Sequence, residues 1–402
     1  MGASFDKTLT LNDAVRLTGP ASFNIMLKPA GSLCNLNCKY CYYLDKADIY
    51  GGREPVMSEG MLETVVKEYI AANEVGEVTF NWHGGEPLLL GVDFYRKALA
   101  FERKYADGKI IHNTIQTNGT LLNREWADFF RENGFLVGIS IDGPRDVHDR
   151  YRKDRGGLPS FDRVMQGLEI LRSSGVEFNT MSTINKASEG KGREVYRFLK
   201  AAGARYMQFM PVVEFEKSGR ISPWSVSGIA FGKFLCDIFD EWVRNDVSQI
   251  FVGQFDAALA SWCGVPPGIC AFAETCGGNA AIEHNGDLYP CDHFVFPERR
   301  LGNIAETSIR ELMGSDAQIR FGIDKRNTLP SACRKCRWLF ACHGECPKHR
   351  FKSTGPGEAG LNALCDGYKL FFSHISPYMD YMKGLLLQGL SPAGVMLWHR
   401  GR

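Results

Sequence analysis

Cys34, Cys38 and Cys41 stand in the spacing Cys-x3-Cys-x2-Cys. A cuboidal [4Fe–4S] cluster ordinarily takes four cysteine thiolates, one per iron. A tight loop offering three leaves one iron open, and an open coordination position lets a substrate or cofactor bind the metal. Tyr40 precedes the last cysteine, where its ring can cover a ligand on that iron. A zinc loop is the plain alternative, but zinc motifs favour C-x2–4-C pairs with a second pair or histidines further on. Downstream comes His83-Gly84-Gly85-Glu86-Pro87. Its glycines let backbone approach a ligand closely, and its carboxylate can accept from an ammonium. Gln116-Thr117-Asn118-Gly119-Thr120 and Ser140-Ile141-Asp142-Gly143-Pro144 offer hydroxyl, amide and carboxylate groups. Arg152 can pair with a ligand carboxylate, although a lone arginine is as readily a solvated charge. Val212 and Val213 close an apolar stretch that can flank a flat ring.

The second set of chemistry-bearing residues lies far downstream. Cys270-x5-Cys276-x14-Cys291 is followed by Cys333-x2-Cys336-x5-Cys342-x3-Cys346, and then by Cys365. Eight thiols suffice for two fully ligated clusters. Spacing by itself favours grouping Cys333, Cys336, Cys342 and Cys346, and four-cysteine zinc sites have similar spacings. Cys263 is left over, and Cys236 reads as a core residue. Asp292 directly follows Cys291, where a carboxylate can take a proton beside a metal that takes an electron; by residue type alone it is equally a turn-former.

These residues need elements to hold them. Strand-like stretches recur at 23–28, 77–82, 109–116, 135–141, 176–184 and 205–210, and helix-like ones lie at 92–106, 123–133 and 161–174. Ser58 reads as an N-cap before Met61, Leu62, Val65, Val66, Tyr69 and Ile70 on one helical face. Strand–helix alternation implies a parallel sheet with right-handed crossovers. Six units are too few for a complete eight-stranded barrel, so the expected fold is α/β, a partial (β/α)6 barrel with its site at the carboxyl ends of the strands. Residues 226–245 read as one long helix, and 368–381 as a helix returning to the barrel. The Cys- and Gly-rich region between them is expected to depend on metal for stability. At 402 residues two domains are expected. The boundaries read as 1–22 for an N-terminal extension, 23–250 for the barrel, 251–370 for the Cys-rich domain and 371–402 for a helical tail. A formal net charge of +1 argues against bulk electrostatic binding of nucleic acid or membrane. Met1–Pro20 lacks the apolar core of a signal peptide, and thirteen cysteines favour metal over disulfides in an unexported chain, so a cytoplasmic location is expected.

Cys-x3-Cys-x-aromatic-Cys and the GGEP motif at 84–87 resemble the radical S-adenosylmethionine (SAM) superfamily, and the eight distal cysteines resemble the SPASM domain of its peptide maturases. Leu27-Lys28-Pro29, Cys41-Tyr42-Tyr43-Leu44, Tyr289-Pro290-Cys291-Asp292 and Arg300-Leu301-Gly302-Asn303-Ile304 extend the likeness to the anaerobic sulfatase-maturating enzymes. His83 departs from some relatives, which carry Gln. The resemblance implies a cluster on Cys34, Cys38 and Cys41, with SAM contacted by Tyr40, Gly85, Glu86, Ser140, Arg152 and Val213. It implies one auxiliary [4Fe–4S] cluster on Cys270, Cys276, Cys291 and Cys346 and another on Cys333, Cys336, Cys342 and Cys365, three clusters in all. It further implies that a 5′-deoxyadenosyl radical takes hydrogen from Cβ of a sulfatase Cys or Ser, that Asp292 takes the proton, and that Cα-formylglycine results.

The implied partners are an unfolded or nascent sulfatase polypeptide carrying Cys/Ser-x-Pro/Ala-x-Arg, with flavodoxin or ferredoxin as electron donor. A SPASM maturase that crosslinks another ribosomal peptide is the nearest rival; such enzymes often carry a leader-binding domain, and the residues before Phe23 are too few for one. A cluster-bearing electron carrier would not need the polar strand ends, and a regulatory sensor would need a nucleic-acid module.

Overall fold

The computed structural model describes residues 22–50, 56–216 and 218–400. The expected extension at 1–22 lies outside them apart from its last residue. Six strands run parallel in chain order: β1 (Asn24–Lys28), β2 (Glu77–Trp82), β3 (Ile110–Thr117), β4 (Leu136–Ser140), β5 (Phe178–Ile184) and β6 (Tyr206–Pro211). Each falls within two residues of its expected bounds. The helices between them are α1 (Glu59–Ala72), α2 (Gly91–Tyr105), α3 (Arg124–Glu132), α4 (Arg145–Tyr151), α5 (Phe161–Ser173) and α6 (Gly192–Ala201). Ser58 does cap α1, its hydroxyl accepting from Met61 N at 3.2 Å. Leu62, Val65, Val66, Tyr69 and Ile70 are buried, as the periodicity requires, while Met61 only packs against the margin.

The sheet does not stop at six. A two-residue β7 (Phe251–Val252) pairs parallel with β6, and on the other edge β8 (Asn279–Glu283) pairs parallel with β1. Then β9 (Asp287–Tyr289) and β10 (Gly302–Asn303) continue antiparallel. The ten-stranded order is therefore β10-β9-β8-β1-β2-β3-β4-β5-β6-β7. The Cys-rich region is thus bound into the barrel sheet rather than held by metal alone, and its Phe272, Ile282, Leu288, Ile304 and Trp338 belong to the same core as Ile25, Trp82 and Phe130.

Three further helices belong to the frame. Expected from 226, α7 (Gly228–Asn245) carries Cys236 half-buried against the core. After α8 (Gly253–Trp262), the long α9 (Cys365–Leu387) lies across α7. A Cβ on Gly367 would sit 1.8 Å from Gly228 O, so the two helices meet backbone to backbone, which pins Cys365 two residues away. The expected boundary at 370/371 falls inside α9. No helix among the described residues is long and apolar enough to cross a membrane.

Inside the barrel wall, Trp82 Nε1 donates to Asn113 Oδ1 at 2.7 Å and Asn113 Nδ2 donates to Glu102 Oε2 at 2.8 Å. Glu102 is buried and its Oε1 has no partner. Burial, opposed by the Asn113 hydrogen bond, pushes its carboxyl up to about 8. The folded state therefore holds this proton more tightly than the unfolded chain. Its stabilisation is complete below the ordinary glutamate range and is lost as pH rises towards about 8. Glu102→Gln should abolish this dependence and be more stable than the parent by about 2–4 kcal/mol at pH 9, with little difference at pH 4. Urea denaturation at the two pH values measures it.

Candidate active site

The cysteine loop leaves β1 and is gripped from two sides. Asn37 N donates to Lys153 O at 2.7 Å, Lys39 N to Tyr151 O at 3.0 Å, and Arg155 Nε to Cys34 O at 2.8 Å. From the β2 side, Glu86 N donates to Leu33 O and Gly85 N to Gly31 O, both at 2.8 Å. A Cβ on Gly85 would lie 2.1 Å from Leu33 O. The close approach that requires glycine there is therefore made by the chain's own cysteine loop. Cys38 packs with Leu36, Tyr40 and Val212, and Cys34 and Cys41 border the same cluster. Burial pushes Cys34 and Cys38 up to about 12 and raises Cys41. Three thiols gathered with so little compensating charge are a donor set that cationic iron converts to thiolates, so the residues fit a cluster.

Around this loop the strand ends are joined by Asp142. Its carboxylate accepts from Tyr40 Oη, from Arg152 Nε at 3.0 Å and from Thr183 N at 3.0 Å, while an Arg152 terminal nitrogen donates to Thr183 Oγ1 at 3.0 Å. Arg152, expected to face a ligand carboxylate, is thus buried in an ion pair within the protein. Its guanidinium lies 5.6 Å from the centre of the Tyr40 ring. Ser140 Oγ accepts from Gln116 Nε2 at 2.9 Å. Val213 is buried in the main core, and Val212 is the valine that packs with Cys38 and Tyr40, as alternation along an extended chain dictates.

Glu86 lies just after β2. It is fully buried, and its carboxylate accepts from Leu88 N (3.0 Å), Thr117 Oγ1 (2.8 Å) and Asn118 N (2.7 Å). Burial, opposed by these donors, pushes it up to about 7. Asn118 in turn donates to Asn35 Oδ1 at 2.8 Å and faces Cys34 Sγ at 3.8 Å. Glu86 therefore braces the cysteine loop through Asn118, and its Oε2, which accepts one of these three bonds, has a further lone pair.

The β8–β9 hairpin delivers the distal residues. Lys28 and Glu283 are register partners across the β1–β8 ladder. Beyond β9, Asp292 is buried; its Oδ2 accepts from Tyr42 Oη at 2.6 Å and lies 3.9 Å from Lys28 Nζ, and its Oδ1 lies 3.5 Å from Cys291 Sγ. Burial raises its pKa, but the charges of His293 and Lys28 and the Tyr42 hydrogen bond outweigh that and hold it well below the usual carboxylate range. Asp142, Lys28, Tyr42 and Glu283 were not among the expected site residues. A charged residue closing the apolar β1 was the available sign for Lys28.

The distal thiols divide in two. Burial raises Cys270, Cys276, Cys291 and Cys346; Lys325 opposes it at Cys270 and Cys276, and one another's charges and the neighbouring carboxylates add to it. Cys333, Cys336, Cys342 and Cys365 line one small cavity with Tyr368 and Phe372. Cys346 parts from its sequence neighbours because His343, Gly344 and Glu345 all take left-handed backbone, with φ of 44°, 71° and 51°. Arg350 locks that reversal by donating to the carbonyls of His343, Gly344, Glu345 and Lys325. Cys263 is half-buried at the end of α8 and joins neither group.

Residues 29–199 match the radical SAM superfamily and residues 270–337 match SPASM, an iron-sulfur cluster-binding domain. The chain is 48% identical over 388 residues to the serine-type anaerobic sulfatase-maturating enzyme of Bacteroides thetaiotaomicron, covering 92% of this chain and 94% of that one. This chain belongs to the anaerobic sulfatase-maturating enzymes. It is 33% identical over 365 residues to the cysteine-type enzyme of Clostridium perfringens, covering 88% and 96%. The solved structure of anSMEcpe with bound AdoMet and a peptide superposes with a TM-score of 0.81 at 31% identity, over 90% of this chain and 99% of that one. Streptococcus suis SuiB shares only the fold, with a TM-score of 0.60 at 16% identity. The maturase is thus a radical SAM oxidoreductase with a partial barrel and a SPASM domain, and it uses iron–sulfur clusters and SAM.

Glu86→Ala removes three contacts at once. It should destabilise the protein by about 2–4 kcal/mol and lower iron bound per chain after anaerobic reconstitution, whereas an exposed control such as Glu132→Ala should do neither. Iron assay and thermal melting read the two effects.

Proposed function

We propose that this maturase converts one Cys or Ser of a sulfatase polypeptide to Cα-formylglycine. The observation that carries the reading is the placement of Asp292, brought by β8 and β9 to the rim beside the cysteine loop and hydrogen-bonded to Tyr42 of that loop. When bound, SAM on the reduced cluster held by Cys34, Cys38 and Cys41 supplies a 5′-deoxyadenosyl radical that takes hydrogen from Cβ, and auxiliary clusters take the electron left behind.

The chain's own residues do the rest. Tyr40, fixed by Asp142, and the Ser140–Gln116 pair shape the SAM side of the cavity; Arg152 holds that rim in place and Val212 packs behind Tyr40. Cys270, Cys276, Cys291 and Cys346 hold one auxiliary cluster, and Cys333, Cys336, Cys342 and Cys365 the other. Asp292 Oδ2 is held by Tyr42, while Oδ1 faces the sulfur of Cys291, a group that would have no hydrogen to donate were it to hold metal. Oδ1 is therefore the atom that receives the substrate's thiol or hydroxyl proton. Loss of that proton, the Cβ hydrogen and one electron leaves a thioaldehyde or aldehyde. In the cysteine case water then replaces sulfur, which leaves as hydrogen sulfide. A partner presenting Cys/Ser-x-Pro/Ala-x-Arg as an extended segment suits the open rim, and a low-potential flavodoxin or ferredoxin suits the reduction step.

The test is anaerobic incubation of reconstituted protein with SAM, dithionite and a Cys-x-Pro-x-Arg peptide, read by mass spectrometry for conversion of CH2–SH to CHO. Asp292→Asn should lower formylglycine formation about a hundredfold or more while 5′-deoxyadenosine still accumulates. An unmodified peptide with wild-type protein and abundant 5′-deoxyadenosine would overturn the substrate assignment.

A further inference from the structure

Among the described residues Lys28 is the most sequestered cation, with 0% of its surface exposed. An ammonium so placed needs anionic or strongly accepting neighbours, because burial removes its hydration. Its neighbours come from three strands and the loop. His83 Nδ1 at the end of β2 lies 3.0 Å from Nζ, Asp292 Oδ2 beyond β9 lies 3.9 Å away, and the Tyr43 ring centre lies 4.6 Å away. Glu283, its register partner on β8, contributes a second negative charge, but one oxygen of that carboxylate is already engaged by Tyr43 Oη. Cys41 of the first loop and Cys291 of the distal group both lie within its electrostatic reach. Lys28 therefore stands between the two metal-binding regions, at the seam where β8 joins the barrel.

His83 is constrained from the same side. Its Nδ1 faces two donors, Lys28 Nζ and Gly84 N, the latter at 2.7 Å. A backbone N–H cannot accept, so Nδ1 carries no hydrogen and the ring hydrogen is on Nε2. Nε2 lies on the edge of the ring turned away from Lys28, and His83, unlike Lys28, is only half-buried.

We propose that Lys28 is the positioning residue of the proton-accepting step. It anchors Asp292 through Oδ2 and fixes His83 as its Nε2–H tautomer, so that the reacting side chain meets one acceptor, Asp292 Oδ1, and one donor, His83 Nε2–H. The inference rests on the formylglycine reading only for what the reacting side chain is; the Lys28–Asp292 linkage stands on geometry alone. Without the ammonium, Asp292 keeps the Tyr42 hydrogen bond on Oδ2 and the Cys291 contact on Oδ1 but loses the lysine that faces Oδ2.

Two measurements on Lys28→Met test this. In the peptide assay, formylglycine formed per 5′-deoxyadenosine should fall about tenfold or more. In a double-mutant cycle on the anaerobically reconstituted protein, melting of Lys28→Met, Asp292→Asn and the double variant should be strongly non-additive, because removing either partner strands the other. If Lys28→Met does not fold, restoration of folding by adding Asp292→Asn supports the proposal, and failure to restore it counts against it. A wild-type product ratio in Lys28→Met, or additive melting shifts, overturns the proposal while leaving the formylglycine reading intact. Wild-type protein that makes no formylglycine, with melting shifts still non-additive, overturns that reading and keeps the linkage.

Discussion

The parallel ladder from Asn24↔Asn279 to Lys28↔Glu283 joins the first described strand of the barrel to a strand of the distal domain. Closing a chain segment of that length costs entropy, and the closure is offset by burial. Ala280, Ala281 and Ile282 are fully buried; on β9, Leu288 continues the face of Ala280 and Ile282, and Tyr289 that of Ala281. Everything chemical depends on this pairing. The cysteine loop leaves the carboxyl end of β1, Glu283 ends β8 beside it, and the short β9 turns the chain so that Asp292 comes back over Tyr42 and Lys28. A slip of one residue in that ladder would turn Lys28 and Glu283 to opposite faces of the sheet.

The site that results is dense in buried charge, and each charge is matched. Asp142 holds Arg152 and Tyr40, Glu86 gathers Leu88, Thr117 and Asn118, Glu345 pairs with His349 and Asn362, and Asp292 meets Tyr42 and Lys28. Such networks add little to stability compared with apolar packing, but removing one member leaves another stranded. That favours a single rigid arrangement around the thiols, which is what a reaction through a free radical requires of its surroundings. Burial favours the protonated thiol at Cys34, Cys38, Cys41, Cys270, Cys276, Cys291 and Cys346, so metal binding and local order are coupled there.

Much of this was legible in the sequence. The three-cysteine loop, the six parallel strands, the Ser58 cap and the polar strand ends are local patterns whose chemistry is carried by residue type and spacing. The β1–β8 pairing was not, since neither strand says which edge it will join. Grouping by spacing placed Cys346 with Cys342, and the left-handed run at 343–345 that separates them has no unambiguous residue signature beyond Gly344. The GGEP motif says nothing of the contacts Gly85 and Glu86 make within the chain, to Leu33 and to Asn118. Val212 and Val213 differ only in which way an extended chain turns its side chains. Lys28 was in view as part of a motif and says nothing of its burial until β8 covers it.

The most direct test of the central claim, that sheet pairing brings Asp292 to the reacting side chain, is an anaerobic crystal structure with SAM and a Cys-x-Pro-x-Arg peptide. The account predicts β8 paired to β1 in the register found here, Tyr42 on Asp292 Oδ2, and the peptide's reacting side chain within hydrogen-bond distance of Asp292 Oδ1. An Asp292 turned away from the peptide, or a distal domain detached from β1, would contradict it.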